Sequence, residues 1–159
     1  MASSTSSTHK SFTYDVFLSF QGETRKSFVD HLYFALQLRN IRTYKDDDEI
    51  KKGRKISDEH IRSIKDSKFY IIVYSKNYAS SSWCLDELVN IMECNKTNGK
   101  HVVYPIFFDV EPSEISKLTG TVGKAFEKHG ENNSAKKWKG ALKEAANVSG
   151  WHLWNTCDG

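Results

Sequence analysis

The sequence lacks long apolar runs: no stretch of its 159 residues approaches the roughly 20 apolar residues needed to span a membrane as a helix. It is also poor in cysteine, and Cys84, Cys94 and Cys157 form an odd set without paired spacing. Cys84 and Cys94 fall in one expected helix, about 15 Å apart along its axis, too far to bridge one another. That disfavours a disulfide-stapled secreted scaffold and predicts a reducing compartment, the cytoplasm with the nucleus as a second setting. No Cys or His pair has zinc-like spacing, so no metal site is expected. The formal net charge is only +3, a weak bias towards anionic ligands that says little about fold. Residues 1–10 have no apolar core, which excludes a secretory signal there. Residues 1–11 are expected to be a disordered leader ahead of one domain over 12–156, with no internal repeat or low-complexity linker.

What is present is an alternation of strand-like and helix-like segments. Residues 69–74 and 102–108 are β-forming runs on either side of a helical pattern over 82–94. This reads as a βαβ unit, because parallel neighbours need a crossover and a helix supplies it. Leu85, Leu88, Val89 and Met92 recur at i, i+3, i+4 and i+7, predicting a buried stripe, with Ser82 as N-cap. Trp83 and Glu87 then share a flank beside the stripe, close to the carboxyl end of the preceding strand. Open α/β sheets bind ligands beyond those ends, so an aromatic and a carboxylate there predict a site for a flat, cationic ligand.

Residues 14–20 are rich in β-formers and run into Gln21-Gly22-Glu23-Thr24, which predicts a buried strand ending in a binding-side loop. Over 25–39 the period becomes helical. Phe28, Leu32, Ala35 and Leu36 form one face, and Tyr33, Phe34 and Leu38 widen it beyond a single contact, as cover for a sheet edge or a subunit. Asn40 is the expected helix stop before a short strand over 41–44. The acidic-then-basic segment 46–56 is longer than an ordinary strand-to-helix link. It reads either as a solvated loop or as a mobile docking loop turning at Gly53.

Ser57-Asp58-Glu59 marks a helix start, with Ile61 and Ile64 seating the helix. Pro105 removes a ladder donor from its strand and predicts a bulge or one-sided pairing near the sheet margin. Short helical turns are expected around Gly120 and Gly123. Ser134 is the expected cap of a last helix with Trp138, Ala141, Leu142 and Ala145 as its apolar stripe. The opposite face carries Lys136, Lys137, Lys139 and Lys143, a basic patch for nucleic acid or, more commonly, a solvated surface. With a last strand over 150–154, five strands alternate with helices and predict a three-layer α/β domain with a mostly parallel sheet.

Four segments carry a further resemblance. They are Tyr14-Asp15-Val16-Phe17-Leu18-Ser19-Phe20, the Asp46-Asp47 loop ending at Gly53 and Ile56, Ser82-Trp83-Cys84-Leu85-Asp86-Glu87-Leu88, and Tyr104-Pro105-Ile106-Phe107-Phe108-Asp109-Val110-Glu111-Pro112-Ser113. From about Tyr14 to Trp154 the chain resembles plant TIR (Toll/interleukin-1 receptor/resistance protein) domains. The resemblance implies a flavodoxin-like fold with a parallel sheet in the order 2-1-3-4-5. It further implies a self-associating domain of plant innate immune signalling whose assembly builds an active site that cleaves NAD⁺ at the nicotinamide glycosidic bond. Glu87, after Trp83-Cys84-Leu85-Asp86, is then the catalytic residue, and NAD⁺ is a substrate, not a resident cofactor.

The residues expected to bind NAD⁺ are Phe20, Gln21, Gly22, Glu23, Arg25 and Trp83. Gly22 would admit close backbone approach, Arg25 a phosphate contact, and Trp83 packing on the nicotinamide-ribose. Asp30, His31, Tyr33, Phe34 and Gly53 are expected where a second copy, another TIR domain or an immune receptor docks. The first loop departs from the family's Ser-Phe-Arg-Gly-Glu-Asp-Thr-Arg by placing Gln21 at the arginine and omitting one acidic position. The first helix has Asp30-His31 where many relatives have Ser-His. A non-catalytic homotypic scaffold is the alternative, nucleic-acid binding a weaker one, and the leader is compatible with a TIR-only protein.

Overall fold

The computed structural model describes residues 12–24, 28–45, 56–148 and 150–153. The leader, Arg25, Cys157 and all of the segment 46–56 except Ile56 lie outside them. In chain order the elements are β1 (Tyr14–Phe20), a 3-10 turn (Gly22–Thr24), α1 (Asp30–Leu38), β2 (Thr43–Lys45), α2 (Asp58–Lys65) and β3 (Ser67–Tyr74). A second 3-10 turn (Tyr78–Ser80) follows, then α3 (Ser82–Asn98), β4 (Val102–Phe108), α4 (Pro112–Lys117), α5 (Gly120–Glu127), α6 (Ala135–Ala146) and β5 (Trp151–Leu153). The strands form one sheet in the order β2-β1-β3-β4-β5, every described pair parallel, as the resemblance implied.

Side chains alternate across the strands, and the two faces carry separate cores. Phe17, Tyr70, Ile72, Tyr74, Val103 and Phe107 point to one face, where α2, α3 and α4–α6 cover them. Val16, Leu18, Phe20 and Val73 point to the other, packed with Val29 and with Phe28, Leu32, Tyr33 and Leu36. On this second face Tyr104 and Trp151 stand exposed.

Local signals set most boundaries. Ser57 accepts a hydrogen bond from the His60 N–H at 3.2 Å and caps α2, whose first turn carries Asp58 and Glu59 and whose last turn carries Arg62 and Lys65. Asn40 takes a left-handed φ of 59° after α1, and Gly99, at φ 62°, ends α3. Several expectations shift. α3 is capped by Ser81, not Ser82: Ser81 Oγ accepts from the Cys84 N–H at 3.2 Å, leaving Ser82 as the first helical residue of a three-serine run. β2 occupies Thr43–Lys45 in place of 41–44. Ser134 has helical backbone and makes no side-chain cap; its N–H instead donates to Asn132 Oδ1 at 2.9 Å.

Pro105 produces no bulge. It pairs with Ile72 of β3 in continuous register, while pairing with β5 begins only at Ile106. Its missing donor therefore falls where one flank is unpaired. Gly150 fits there for want of a side chain, since a Cβ would lie 2.2 Å from the Pro105 carbonyl oxygen.

Candidate active site

The buried stripe of α3 is rotated from the expected one. Cys84, Glu87, Leu88 and Ile91 fall at i, i+3, i+4 and i+7 and are all buried, together with Leu85 and Met92, whereas Val89 is half-buried. Glu87 thus lies on the sheet-facing side of α3, not on the flank. Asp86, one residue earlier, turns away and accepts a 2.9 Å hydrogen bond from the Trp138 indole N–H of α6.

Burying a carboxylate is costly unless donors replace its water, and Glu87 has them. Ser19 projects from β1 to the same face as Phe17, and its hydroxyl donates to Glu87 Oε1 at 3.1 Å. His60, on the buried face of α2 with Ile64, brings Nε2 to 2.5 Å from Glu87 Oε2. The side chains of His60 and Glu87 are 4% and 2% exposed. Each oxygen of the carboxylate therefore meets its own hydrogen-bond partner.

Two further hydroxyls back these donors. Tyr78 OH lies 2.8 Å from Ser19 Oγ and 3.2 Å from the Cys84 carbonyl oxygen, and Tyr44 OH lies 3.1 Å from His60 Nδ1. Burial pushes the Tyr78 hydroxyl well above the usual tyrosine range, so it stays a neutral donor. Tyr78 has a single proton to give, and the Cys84 carbonyl, which can only accept, competes for it with Ser19 Oγ. Aromatic rings enclose the imidazole: Phe17, Tyr44 and Trp83 all meet it edge-on, with Trp83 nearest at 5.0 Å between centroids.

The expected ligand residues are only partly brought together. Trp83 is half-buried against His60, one turn from Glu87. Phe20 is 2% exposed: its ring belongs to the core, and its carbonyl accepts from Cys84 Sγ at 3.2 Å, so its side chain does not line a surface recess. Gln21 is half-buried and Gly22 exposed, in the turn that leaves β1, and Glu23 shares that turn. Arg25 and Gly53 lie outside the described residues.

The docking residues also separate. His31 and Phe34 are exposed, the latter at 62%. Asp30 is instead tied to Lys45 at 2.9 Å, and the Lys45 ammonium sits 4.5 Å above the Tyr33 ring. His60, Ser19 and Tyr78 were not singled out from the sequence. The available signal for His60 was its i, i+4 spacing with Ile64, a polar residue in line with a core position.

A parallel sheet ordered in this way, covered by helices on both faces and gathering polar side chains near the carboxyl end of β1, defines a flavodoxin-like α/β domain. The family model for the TIR domain matches residues 13–159, and the chain belongs to that family. It is 53% identical over 155 residues to disease resistance protein RPV1 of Vitis rotundifolia and 47% identical over 156 residues to TMV resistance protein N of Nicotiana glutinosa. Those alignments cover 96% and 94% of this chain but 11% and 13% of the relatives, so the chain spans about an eighth of their length. The solved TIR domains of the activated Roq1 resistosome, which directly recognises the pathogen effector XopQ, match with a TM-score of 0.79. They are 45% identical, over 92% of both chains. Among the described residues no helix is long and apolar enough to cross a membrane, and no group of His, Cys, Asp and Glu forms a metal site.

Proposed function

We propose that this TIR domain is an assembly-dependent NAD⁺ nucleosidase of plant immune signalling, acting in the cytoplasm, with Glu87 as its catalytic residue. The observation that carries this reading is a buried Glu87 carboxylate hydrogen-bonded at each of its oxygens, by Ser19 and by His60, at the carboxyl end of β1 and within the family's Trp-Cys-Leu-x-Glu sequence. Nicotinamide leaves NAD⁺ as a neutral ring, so its departure needs no general acid. The C1′–N bond breaks with its electron pair on nitrogen, and positive charge develops at C1′ and the ribose ring oxygen. An ionised Glu87 beside the sugar stabilises that charge; the water oxygen then bonds to C1′ and its proton passes to solvent. Trp83 supplies an aromatic surface next to the carboxylate.

In the isolated chain Glu87 is closed beneath His60 and Trp83. Turnover therefore requires neighbouring copies to open a path to it. Nicotinamide release, measured across protein concentration, is expected to rise with self-association and to fall about a hundredfold or more in Glu87→Ala. Absence of release from demonstrably assembled protein would overturn the enzymatic reading.

The burial of Glu87, together with exposed Phe34 and Leu38 on α1, favours a second reading, a scaffold acting only through TIR–TIR contacts. Assembly without turnover would support it. The α6 lysines remain a weaker basis for nucleic-acid binding. Lys136, Lys137, Lys139 and Lys143 are solvent-exposed, and an affinity that hardly falls with added salt would remove that role.

A further inference from the structure

We propose that His60 is a positioning residue for Glu87, presenting an Nε2–H that fixes the carboxylate's orientation and keeps it charged, with Tyr44 holding the imidazole in that tautomer. The inference rests on the reading of Glu87 as the catalytic carboxylate. It follows from proton accounting. An ionised Glu87 only accepts, so the 2.5 Å contact to Oε2 requires the proton on His60 Nε2. In the neutral ring Nδ1 is then an acceptor, and the Tyr44 hydroxyl at 3.1 Å donates to it.

Two contacts thus converge on one side chain: His60, backed by Tyr44, at Oε2, and Ser19, with the Tyr78 hydroxyl 2.8 Å behind it, at Oε1. They come from different elements, α2 and β2 on one side and β1 with the second 3-10 turn on the other, so the carboxylate is clamped between them. The enclosing rings of Phe17, Tyr44 and Trp83 keep the imidazole from swinging away. Besides His60 and Glu87, the titratable groups of this cluster among the described residues are Tyr44 from β2, Tyr78 from the turn and Cys84 from α3. Lys45, next to Tyr44, is engaged with Asp30.

The consequence for catalysis is specific. With the His60 donor removed and the surroundings left apolar, the protonated form of Glu87 becomes favoured and the charge needed opposite the sugar is lost. The test compares wild type, His60→Leu, His60→Gln and Tyr44→Phe in nicotinamide release from NAD⁺, each checked for assembly. His60→Leu is expected to lower kcat by about tenfold to a hundredfold with KM and assembly unchanged, and to move the acid limb of the pH–rate profile upward by about one pH unit or more. His60→Gln, whose amide nitrogen falls near the Nε2 position, is expected to recover most of kcat and of the acid limb. Tyr44→Phe should give a smaller change in the same direction.

A His60→Leu enzyme with wild-type kcat and acid limb would overturn the proposal, as would His60→Gln as impaired as His60→Leu. An independent arm uses the protein labelled at histidine nitrogen. The Nε2–H resonance of His60 is expected well downfield in wild type and shifted upfield in Glu87→Gln. If wild type releases no nicotinamide, the enzymatic reading fails while this arm still decides the pairing, and unchanged His60 signals would sink it.

Discussion

Two helices on opposite faces of the sheet show how differently one chain can use apolar residues. α3 is long and buries Cys84, Leu85, Leu88, Ile91 and Met92, with a carboxylate sealed among them. α1 has nine residues, none of them fully buried, and leaves Phe34 62% and Leu38 85% exposed. The apolar surface of α3 is consumed by folding, so its residues report on stability and on the chemistry they enclose. On α1 Leu32, Tyr33 and Leu36 pack on the second core while Phe34 and Leu38 are left over after folding, and the second copy of this chain is the partner to which the self-association proposal assigns them.

Substitutions can break or sharpen this contrast. Leu88→Ala, at the centre of the α3 stripe, is expected to cost about 2–5 kcal/mol in urea denaturation through lost transfer energy and a residual cavity. Ser81→Ala removes the cap of α3 and is expected to cost about 1 kcal/mol, while Ser82→Ala costs distinctly less; equal losses would return the cap to Ser82. Phe34→Ser combined with Leu38→Ser on α1 should change folding stability by no more than about 0.5 kcal/mol while weakening self-association in analytical ultracentrifugation. A large stability loss there would mean that α1 is packed as α3 is.

The smallest effect concerns pH. Hydrogen bonds from the Arg42 side chain and backbone hold the Asp15 carboxyl below its ordinary 3.8. A lowered folded value means that this stabilisation is present above about pH 4 and is lost as pH falls through the folded value. Asp15→Asn should therefore lower stability slightly at neutral pH, the pair being solvent-exposed, and converge with wild type at the acidic end, which flattens the acid limb of the stability profile.

Much of the fold was legible because it rests on local patterns. The β-forming runs became β1, β3 and β4, Ser57 with its acidic neighbours started α2, and Asn40 stopped α1. The site was legible in one respect: Glu87 stands one turn from Trp83 at the carboxyl end of the sheet. Its burial was not, because periodicity ranks residues by polarity, and a glutamate on a core stripe is read as the stripe's edge. His60 was hidden for the same reason, although both fall at helical spacing with core residues. The exposed part of the docking face was visible in Phe34 and Leu38, whereas the ties of Asp30 and Tyr33 to Lys45 depend on β2 lying beside α1.

The sequence by itself determined which segments become strands and helices and which carboxylate follows the tryptophan, since propensity, capping and spacing act over a few neighbouring residues. Only the tertiary structure decided the state of that carboxylate. The partners that hold it, Ser19 and His60, are 68 and 27 residues away along the chain and meet Glu87 when β1, α2 and α3 pack together. Water excluded by that packing is what makes their hydrogen bonds decisive.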